Sequence, residues 1–116
     1  MDKPEIEGYR FGRIVVDGET YTNDLIILPG EILSGWWRKE GHSLYPEDLD
    51  AVFEAGPELL IVGQGANGRM QVPDETKQAI RERGIELIAQ QTETACDTYN
   101  EMRDQRLVAA ALHLTC

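Results

Sequence analysis

The second half of the chain contains two strand–helix–strand units in succession, and this pattern constrains the fold more than any other feature. Short branched apolar runs at residues 58–62, 85–89 and 106–114 are typical of buried strands. Helical periods separate these runs at 73–83 and 93–103. Because crossovers of this kind are right-handed and join parallel strands, the pattern predicts a parallel arrangement of the three strands.

The first half adds a predicted hairpin and a long connection. Residues 10–16 and 19–28 are strand-like, and the Asp17-Gly18 pair between them favours a tight primed turn. Residues 31–45 show no clear period and are predicted to form a long connection of the kind that often carries a binding role.

The predicted order of elements is β-β-α-β-α-β-α-β, with the first helix starting near Pro46 and ending at Gly56. We therefore predict a single α/β domain over residues 1–116, in which an N-terminal β-hairpin joins a mixed central sheet with βαβαβ crossovers and helices packed against the sheet. The small residues 109–111 predict that the last strand is central, where helices approach closely.

The charge balance excludes two classes of partner. The chain carries 11 Lys and Arg against 21 Asp and Glu, a net charge of −10. Nucleic acids and anionic membrane surfaces both require a cationic patch, so no nucleic-acid or membrane binding is predicted. The apolar runs are too short to span a bilayer, the N-terminus has no signal-peptide character, and two cysteines make no disulfide framework. These features predict a cytoplasmic protein.

Residues 36–43 (WWRKEGHS) are the most unusual stretch in composition, because both tryptophans and one of the two histidines lie there. Trp37 and Arg38 are of the types enriched at binding hot spots, and Arg38 with His42 could hold a small anion. The alternative is a strand-like segment whose tryptophans close the edge of the core, with Arg38 solvated. An exposed Trp36 would suit a homodimer.

Residues 63–68 spell G-x-G-x-x-G directly after a predicted buried strand. Such a loop binds a pyrophosphate when a helix follows at once, but residues 69–72 intervene here, so a loop without a nucleotide is the alternative. This loop and the polar turn before Thr92 follow neighbouring strands, so both are predicted at one edge of the sheet, where ligands collect. Any pocket is expected there, and the polar side chains of Gln64, Gln91 and Thr92 could line it. Thr92 is also the predicted N-cap of the third helix.

His113 and Cys116 lie close together near the end of the sequence. A histidine can lower the pKa of a nearby thiol and so activate it as a nucleophile. The two side chains would leave opposite faces of a continuing strand, so a structural role is the alternative. Cys96 is predicted to be inert core. No short pair of cysteines or histidines suits a metal, and no cofactor is predicted.

Five short motifs in a fixed order resemble one family. They are Trp37-Arg38, Gly41-His42-Ser43, residues 60–65 (LIVGQG), Gln91-Thr92 followed by Ala95, Tyr99 and Asn100, and residues 113–116 (HLTC). The family is the small one named after a methanogen protein of unknown function. It includes the vertebrate adipogenesis-associated protein and mitochondrial complex I assembly factor 3.

The resemblance implies a three-layer α/β domain with a mixed central sheet and no established enzymatic activity. The mitochondrial branch of the family acts as an assembly factor through protein contacts. The motif matches, whose roles the resemblance does not assign, are Trp37, Arg38, His42, Gly63, Gly65, Thr92, His113 and Cys116.

The predicted function is a non-enzymatic binding or assembly-factor-like domain, acting through protein contacts or a small pocket at the strand ends. Its partner would be a protein or a small ligand. The alternative is a small enzyme or small-molecule binder that uses Arg38 and His42, with His113 and Cys116 as further candidates.

Overall fold

A computed structural model describes residues 3–116, which form eight strands and three α-helices. The strands are β1 (Ile6–Arg10), β2 (Arg13–Val16), β3 (Glu19–Tyr21), β4 (Leu25–Leu28), β5 (Glu31–Ser34), β6 (Leu59–Gln64), β7 (Glu86–Gln90) and β8 (Val108–His113). The helices are α1 (Asp50–Ala55), which a 3₁₀ turn at Pro46–Leu49 precedes, α2 (Asp74–Glu82) and α3 (Thr92–Met102).

The strands form two sheets. The smaller sheet has the antiparallel order β1-β2-β3, and the larger, mixed sheet has the order β5-β4-β8-β6-β7. Strand β6 pairs in parallel with both β7 and β8, while β4 pairs antiparallel with β5 and β8. The α/β class, the parallel crossovers and the central position of the last strand are confirmed.

Three layers follow from the alternation of side chains along the central strands. On one face of the mixed sheet, Leu25, Ile61 and Ala110 pack with α3 and the smaller sheet. On the other face, Ile26, Val62 and Ala111 pack with α1 and α2. The strands of this sheet are therefore apolar on both sides, as a sheet covered on both faces requires.

The predicted hairpin is confirmed at its turn, where Asp17 and Gly18 both have positive φ, 50° and 80°. Its first strand is shorter than predicted, because a turn at Phe11 and Gly12 separates Arg10, the last residue of β1, from β2. A glycine inside a strand-like run often marks such a break.

The prediction of one continuous strand over residues 19–28 is wrong. The chain leaves the smaller sheet after β3 and enters the mixed sheet at β4, and Asp24 lies at the junction. The connection predicted over residues 31–45 begins with a short strand. A tight turn at Pro29 and Gly30 brings Glu31 opposite Leu28, and β5 becomes an edge strand of the mixed sheet.

The loops after β6 and β7 lie at one edge of the mixed sheet, as predicted. The backbone N–H of Thr92 donates to the carbonyl oxygen of Gly65 at 3.1 Å, which joins the two loops. Among residues 3–116, none of the helices has the length and apolar character needed to cross a membrane.

Candidate functional site: a cleft beside a buried charged cluster

A cleft of about 390 Å³ opens where β4 begins and β8 ends. We call it the tryptophan cleft, because Trp37 at its border is 90% exposed. Its lining residues are Thr22, Asn23, Asp24, Gly35, Trp36, Trp37, Arg38, Gly41 and Thr115. The lining therefore combines polar groups with two indole rings, a combination typical of binding sites.

Asp24, Arg38 and His113 form a charged cluster beside this cleft, which we call the Asp24 cluster. One carboxylate oxygen of Asp24, Oδ2, lies 2.8 Å from Arg38 Nη1 and 2.8 Å from His113 Nδ1. The other oxygen, Oδ1, accepts the backbone N–H of Leu114 at 2.7 Å. The side chains of Arg38 and His113 are only 6% and 7% exposed. A charge buried as deeply as that of Arg38 is stable only when it is paired and hydrogen-bonded, and Asp24 supplies that partner here.

The contacts of His113 assign its tautomer. Because Nδ1 lies 2.8 Å from a carboxylate oxygen, the proton is placed on Nδ1, which donates it to Asp24. Arg38 Nη2, which lies 3.1 Å from the same nitrogen, then donates to the carbonyl oxygen of Gly41 at 3.4 Å. His113 Nε2 and Arg38 Nε are buried and have no hydrogen-bond partner within residues 3–116. These two nitrogens are therefore the polar atoms of the cluster whose hydrogen-bonding ability is not used by residues 3–116.

The environment of Asp24 lowers its pKa. Burial is the largest single effect and raises the pKa, but hydrogen bonds from His113, from the backbone of Leu114 and from Arg38 together outweigh it. Asp24 is therefore ionised at neutral pH and balances the charge of Arg38.

The lowered pKa of Asp24 predicts a loss of stability in acid. The ordinary pKa is 3.8, so the ionised group stabilises the fold at higher pH, and this contribution declines as the pH falls through the folded-state value. We expect the difference in the free energy of unfolding between the native chain and Asp24→Asn to be larger at about pH 5 than at about pH 3. Urea titrations followed by tryptophan fluorescence measure it, and an equal difference at both pH values would contradict the assignment.

Two expectations for the tryptophan segment are wrong. Trp36 is half-buried rather than exposed, since its Nε1 donates to the carbonyl oxygen of Asp48 at 3.0 Å. Arg38 is not solvated, because its guanidinium stacks on the Trp36 ring at 4.7 Å and pairs with Asp24. Trp37 is the exposed member of the pair. A homodimer contact through this segment would therefore use Trp37.

The glycine loop (residues 63–68) binds a segment of the chain itself. The N–H of Ala66 donates to the carbonyl oxygen of Thr115 at 2.6 Å, and that of Arg69 donates to the carbonyl oxygen of Cys116 at 3.1 Å. The N–H of Gly68 donates to Gly65 at 3.1 Å. Because these amides are already engaged, they are not available to bind a pyrophosphate in this conformation.

Thr92 joins the glycine loop to the end of β8. Its hydroxyl donates to the carbonyl oxygen of His113 at 2.6 Å and accepts the N–H of Gly65 at 2.8 Å. The prediction that Thr92 caps α3 is wrong, because Gln91 is the N-cap and the hydroxyl is used elsewhere. A side chain at Gly63 would lie 2.9 Å from Leu112 Cδ2 and from Thr92 Oγ1. Gly63, Gly65 and Thr92 thus lie together behind the tryptophan cleft, where they position the segment that carries His113 and Thr115.

The remaining candidates lie around the Asp24 cluster. His42 is exposed, and its ring lies 6.4 Å from that of His113 in an edge-on arrangement with an interplanar angle of 68°. Cys116 is half-buried on the glycine loop. The thiol of Cys116 makes no hydrogen bond to His113 within the described part of the chain, so the two do not form a bonded pair. Burial, with Asp97 and Glu93 nearby, raises the pKa of the Cys96 thiol to about 12, and Cys96 is inert core as predicted.

Sequence reasoning missed two residues at this end of the molecule. Asp24 was one acid among 21, and its partners lie 14 and 89 positions away. Phe11 is 63% exposed in the turn between β1 and β2. The only signal for it was the Gly12 that follows, which interrupts a strand-like run.

Fold and site together define a three-layer α/β domain with a polar cleft at the strand ends. The chain belongs to the family described as a protein of unknown function (DUF498/DUF598), whose profile matches residues 6–113. The family resemblance inferred from the motifs is thereby confirmed.

The chain is similar to curated proteins named NADH dehydrogenase [ubiquinone] 1 alpha subcomplex assembly factor 3. It is 28% identical to the human protein over 111 residues, covering 92% of this chain and 59% of the relative. It is 33% identical to the zebrafish (Danio rerio) protein over 101 residues, covering 84% of this chain and 56% of the relative. The chain therefore spans little more than half the length of these relatives.

Solved structures share the whole fold. A conserved hypothetical protein from Pyrococcus horikoshii superimposes with a TM-score of 0.83 at 28% identity, covering 97% of this chain and 99% of that one. A Rhodopseudomonas palustris protein gives a TM-score of 0.74 at 29% identity, covering 97% and 87% of the two chains.

Proposed function

We propose that this chain is a protein-binding domain of the assembly-factor type, and that the tryptophan cleft is where its partner docks. One observation carries the proposal. Trp37 exposes 90% of its surface to solvent at the edge of a cleft whose base is fixed by buried hydrogen bonds. Tryptophan is the residue type most often found at the centre of protein interfaces, where its burial contributes strongly to affinity.

The base of the cleft is rigid enough to support such an interface. Arg38 is stacked on Trp36 and paired with Asp24, and Asp24 is in turn bonded to the backbone of Leu114. A partner would therefore meet a preformed surface and would lose little conformational entropy in ordering it. The names of the relatives, which are assembly factors, agree with a function exercised through protein contacts.

Replacing Trp37 by alanine tests this proposal. We expect capture of the partner from the native host to fall at least about tenfold, because a buried tryptophan anchor is often a hot spot. The melting temperature should not fall, since the side chain is 90% exposed. The measurement is affinity capture with quantitative mass spectrometry, supported by thermal unfolding of the purified variant.

Leu107→Ala is the matched control, because Leu107 is 40% exposed and lies before β8, at the opposite end of that strand from the cleft. It should capture as much partner as the native chain. Equal losses in both variants, or undiminished capture by Trp37→Ala, would contradict the proposal. A concentration-dependent dimer that Trp37→Ala abolishes would identify a second copy of the chain as the partner.

A second candidate function is binding or conversion of a small molecule beside His42. The proximity of His42 and His113, together with the unpartnered Nε2 of His113, favours it. Phosphate and acetate, each at millimolar concentration, are suitable first probes because an arginine and a histidine bind small anions. Shifts in the imidazole NMR signals that His42→Ala abolishes would support this function. Absence of any shift would contradict this second function and leave protein binding as the one remaining proposal. The cytoplasmic location and the roles of the eight motif residues stay predictions.

A further inference from the structure

The tip of the β1–β2 hairpin places two arginines directly opposite each other. Arg10 and Arg13 are cross-strand partners, so their side chains leave the same face of the smaller sheet. Both are exposed, and neither forms a salt bridge with any residue between 3 and 116. Like charges in this arrangement repel and cost the free chain stability. The chain has a net charge of −10, yet no carboxylate among residues 3–116 lies within salt-bridge distance of either arginine.

The same face of the hairpin carries a groove with an apolar floor. Its volume is about 200 Å³, and Gly8, Tyr9, Arg10, Arg13 and Val15 line it. Gly8 lies opposite Val15, so the missing side chain of the glycine leaves Val15 uncovered. The position does not need a glycine for close packing, because a Cβ there would meet nothing within 4 Å.

Phe11 extends this surface at the turn. It is 63% exposed between the two arginines, whereas Ile14 on the other face of the hairpin is fully buried in the core. The hairpin tip therefore presents an exposed aromatic ring, two arginines with no salt bridge to residues 3–116, and a small apolar groove within a few residues of each other.

We propose that this hairpin face binds an acidic segment of a partner protein. Carboxylates of the segment pair with Arg10 and Arg13, and an apolar side chain of the segment fills the groove over Gly8 and Val15. Binding removes the repulsion between the arginines and covers apolar surface in one step.

A protein segment fits this surface better than other polyanions do. Nucleic acids and anionic membranes bind through many cations, and two arginines on a chain of net charge −10 supply too few. A short acidic segment needs only a few cations, because it responds mainly to charges within one Debye length, about 8 to 10 Å. The apolar floor of the groove also favours a protein segment over a free phosphate, because a phosphate has no apolar side chain to fill the groove.

This inference extends the proposed function to a second face and names the chemistry of its partner, but it does not depend on the tryptophan cleft. The two surfaces are nevertheless close, because the N–H of Gly12 and the hydroxyl of Tyr9 both donate to the carbonyl oxygen of Leu114 at 2.8 Å. One partner can therefore contact both.

The test uses a synthetic peptide with a central leucine flanked by glutamates, and the same peptide with glutamines in their place. We expect the glutamate peptide to shift the backbone NMR signals of Gly8, Gly12 and Val15, and the glutamine peptide to bind about tenfold more weakly. Raising the salt concentration to about 0.5 M should weaken binding of the glutamate peptide and hardly affect binding of the glutamine peptide.

Two variants separate the parts of the surface. Gly8→Val fills the groove and should abolish binding while the melting temperature stays level or rises, because valine favours strands and nothing obstructs it. Arg10→Gln combined with Arg13→Gln should weaken binding of the glutamate peptide about tenfold. The folded chain should lose no stability, since the double substitution removes the repulsion between the two arginines. Lys77→Gln with Arg81→Gln on α2 makes the same change in net charge at exposed positions elsewhere, and should leave binding unchanged.

Three results would overturn the proposal. One is no shift at the hairpin with the glutamate peptide, and another is equal weakening by the α2 control. The third is binding of phosphatidylserine vesicles or single-stranded DNA in preference to the peptide, which would assign the arginines to lipid or nucleic acid. Trp37→Ala should bind the peptide normally, so failure of the cleft proposal and failure of this one give different results.

Discussion

Replacing Asp24 by alanine is expected to destabilise the folded chain by about 3 kcal/mol or more, because it leaves a buried cation without its partner. Asp24 accepts three hydrogen bonds, from Arg38, His113 and the backbone of Leu114. Without the carboxylate, the Arg38 side chain stays 94% covered by its surroundings or must turn out into solvent, which would disrupt its stacking on Trp36. Chemical denaturation with equilibrium fitting measures the loss.

Two companion variants make this expectation specific to the ion pair. Asp104→Ala removes an exposed aspartate and should change the free energy of unfolding by less than about 0.5 kcal/mol. Asp24→Leu combined with Arg38→Met removes both charges and should cost less than Asp24→Ala alone, because no unpaired buried charge remains. If the double variant were the less stable of the two, the cluster would owe its effect to packing rather than to charge.

Replacing Gly65 by alanine is expected to cost about 3 kcal/mol or more, the second of the two large effects. Gly65 has a φ of +101°, which disfavours any side chain, and an added Cβ would collide with the carbonyl group of Cys116 and lie 2.8 Å from that of Thr115. The segment carrying Thr115 would have to leave the glycine loop, and Thr115 lines the tryptophan cleft. Partner capture should therefore fall together with stability.

Gly8→Ala is the matched control for this substitution. Gly8 lies in β1 without a positive φ, and a Cβ there would meet nothing within 4 Å. Alanine should therefore be tolerated or should stabilise the chain slightly. Retention of native stability by Gly65→Ala would show that the segment beyond β8 is not held as closely as the hydrogen bonds of Ala66 and Arg69 indicate.

The second half of the fold was predictable because local signals and long-range packing agree there. Each strand–helix–strand unit combines an apolar run, a helical period and a turn, and the right-handed rule for crossovers reduces the number of possible arrangements. The run of alanines before Leu112 indicated a central strand, since only small side chains let helices approach on both faces.

The first half was less predictable because its pattern is ambiguous between two sheets. Residues 19–28 were predicted as one strand, since both β3 and β4 are strand-like and only the short polar segment before Leu25 divides them. Nothing local shows that Asp24 turns away to bind Arg38 and His113. Their separations of 14 and 89 positions make the cluster a product of the finished fold.

The sequence predicted the shared edge of the sheet but not the contacts made there. The shared edge of the sheet follows from topology, and the tryptophan segment does lie beside it. The sequence could not show which of Trp36 and Trp37 is buried, because adjacent identical residues have the same intrinsic preference for burial. Which of them is buried depends on the carbonyl group of Asp48, to which only Trp36 donates.

The central place of β8 has a consequence for biosynthesis. Leu25 in β4 pairs with Leu112, which lies 87 positions later in the chain, and β6 also pairs with β8 along one of its sides. While the ribosome is still translating the middle of the message, both strands therefore present unpaired backbone groups. Closure of the sheet is therefore expected only once β8 has been synthesised, so a holdase chaperone would have most effect before that point.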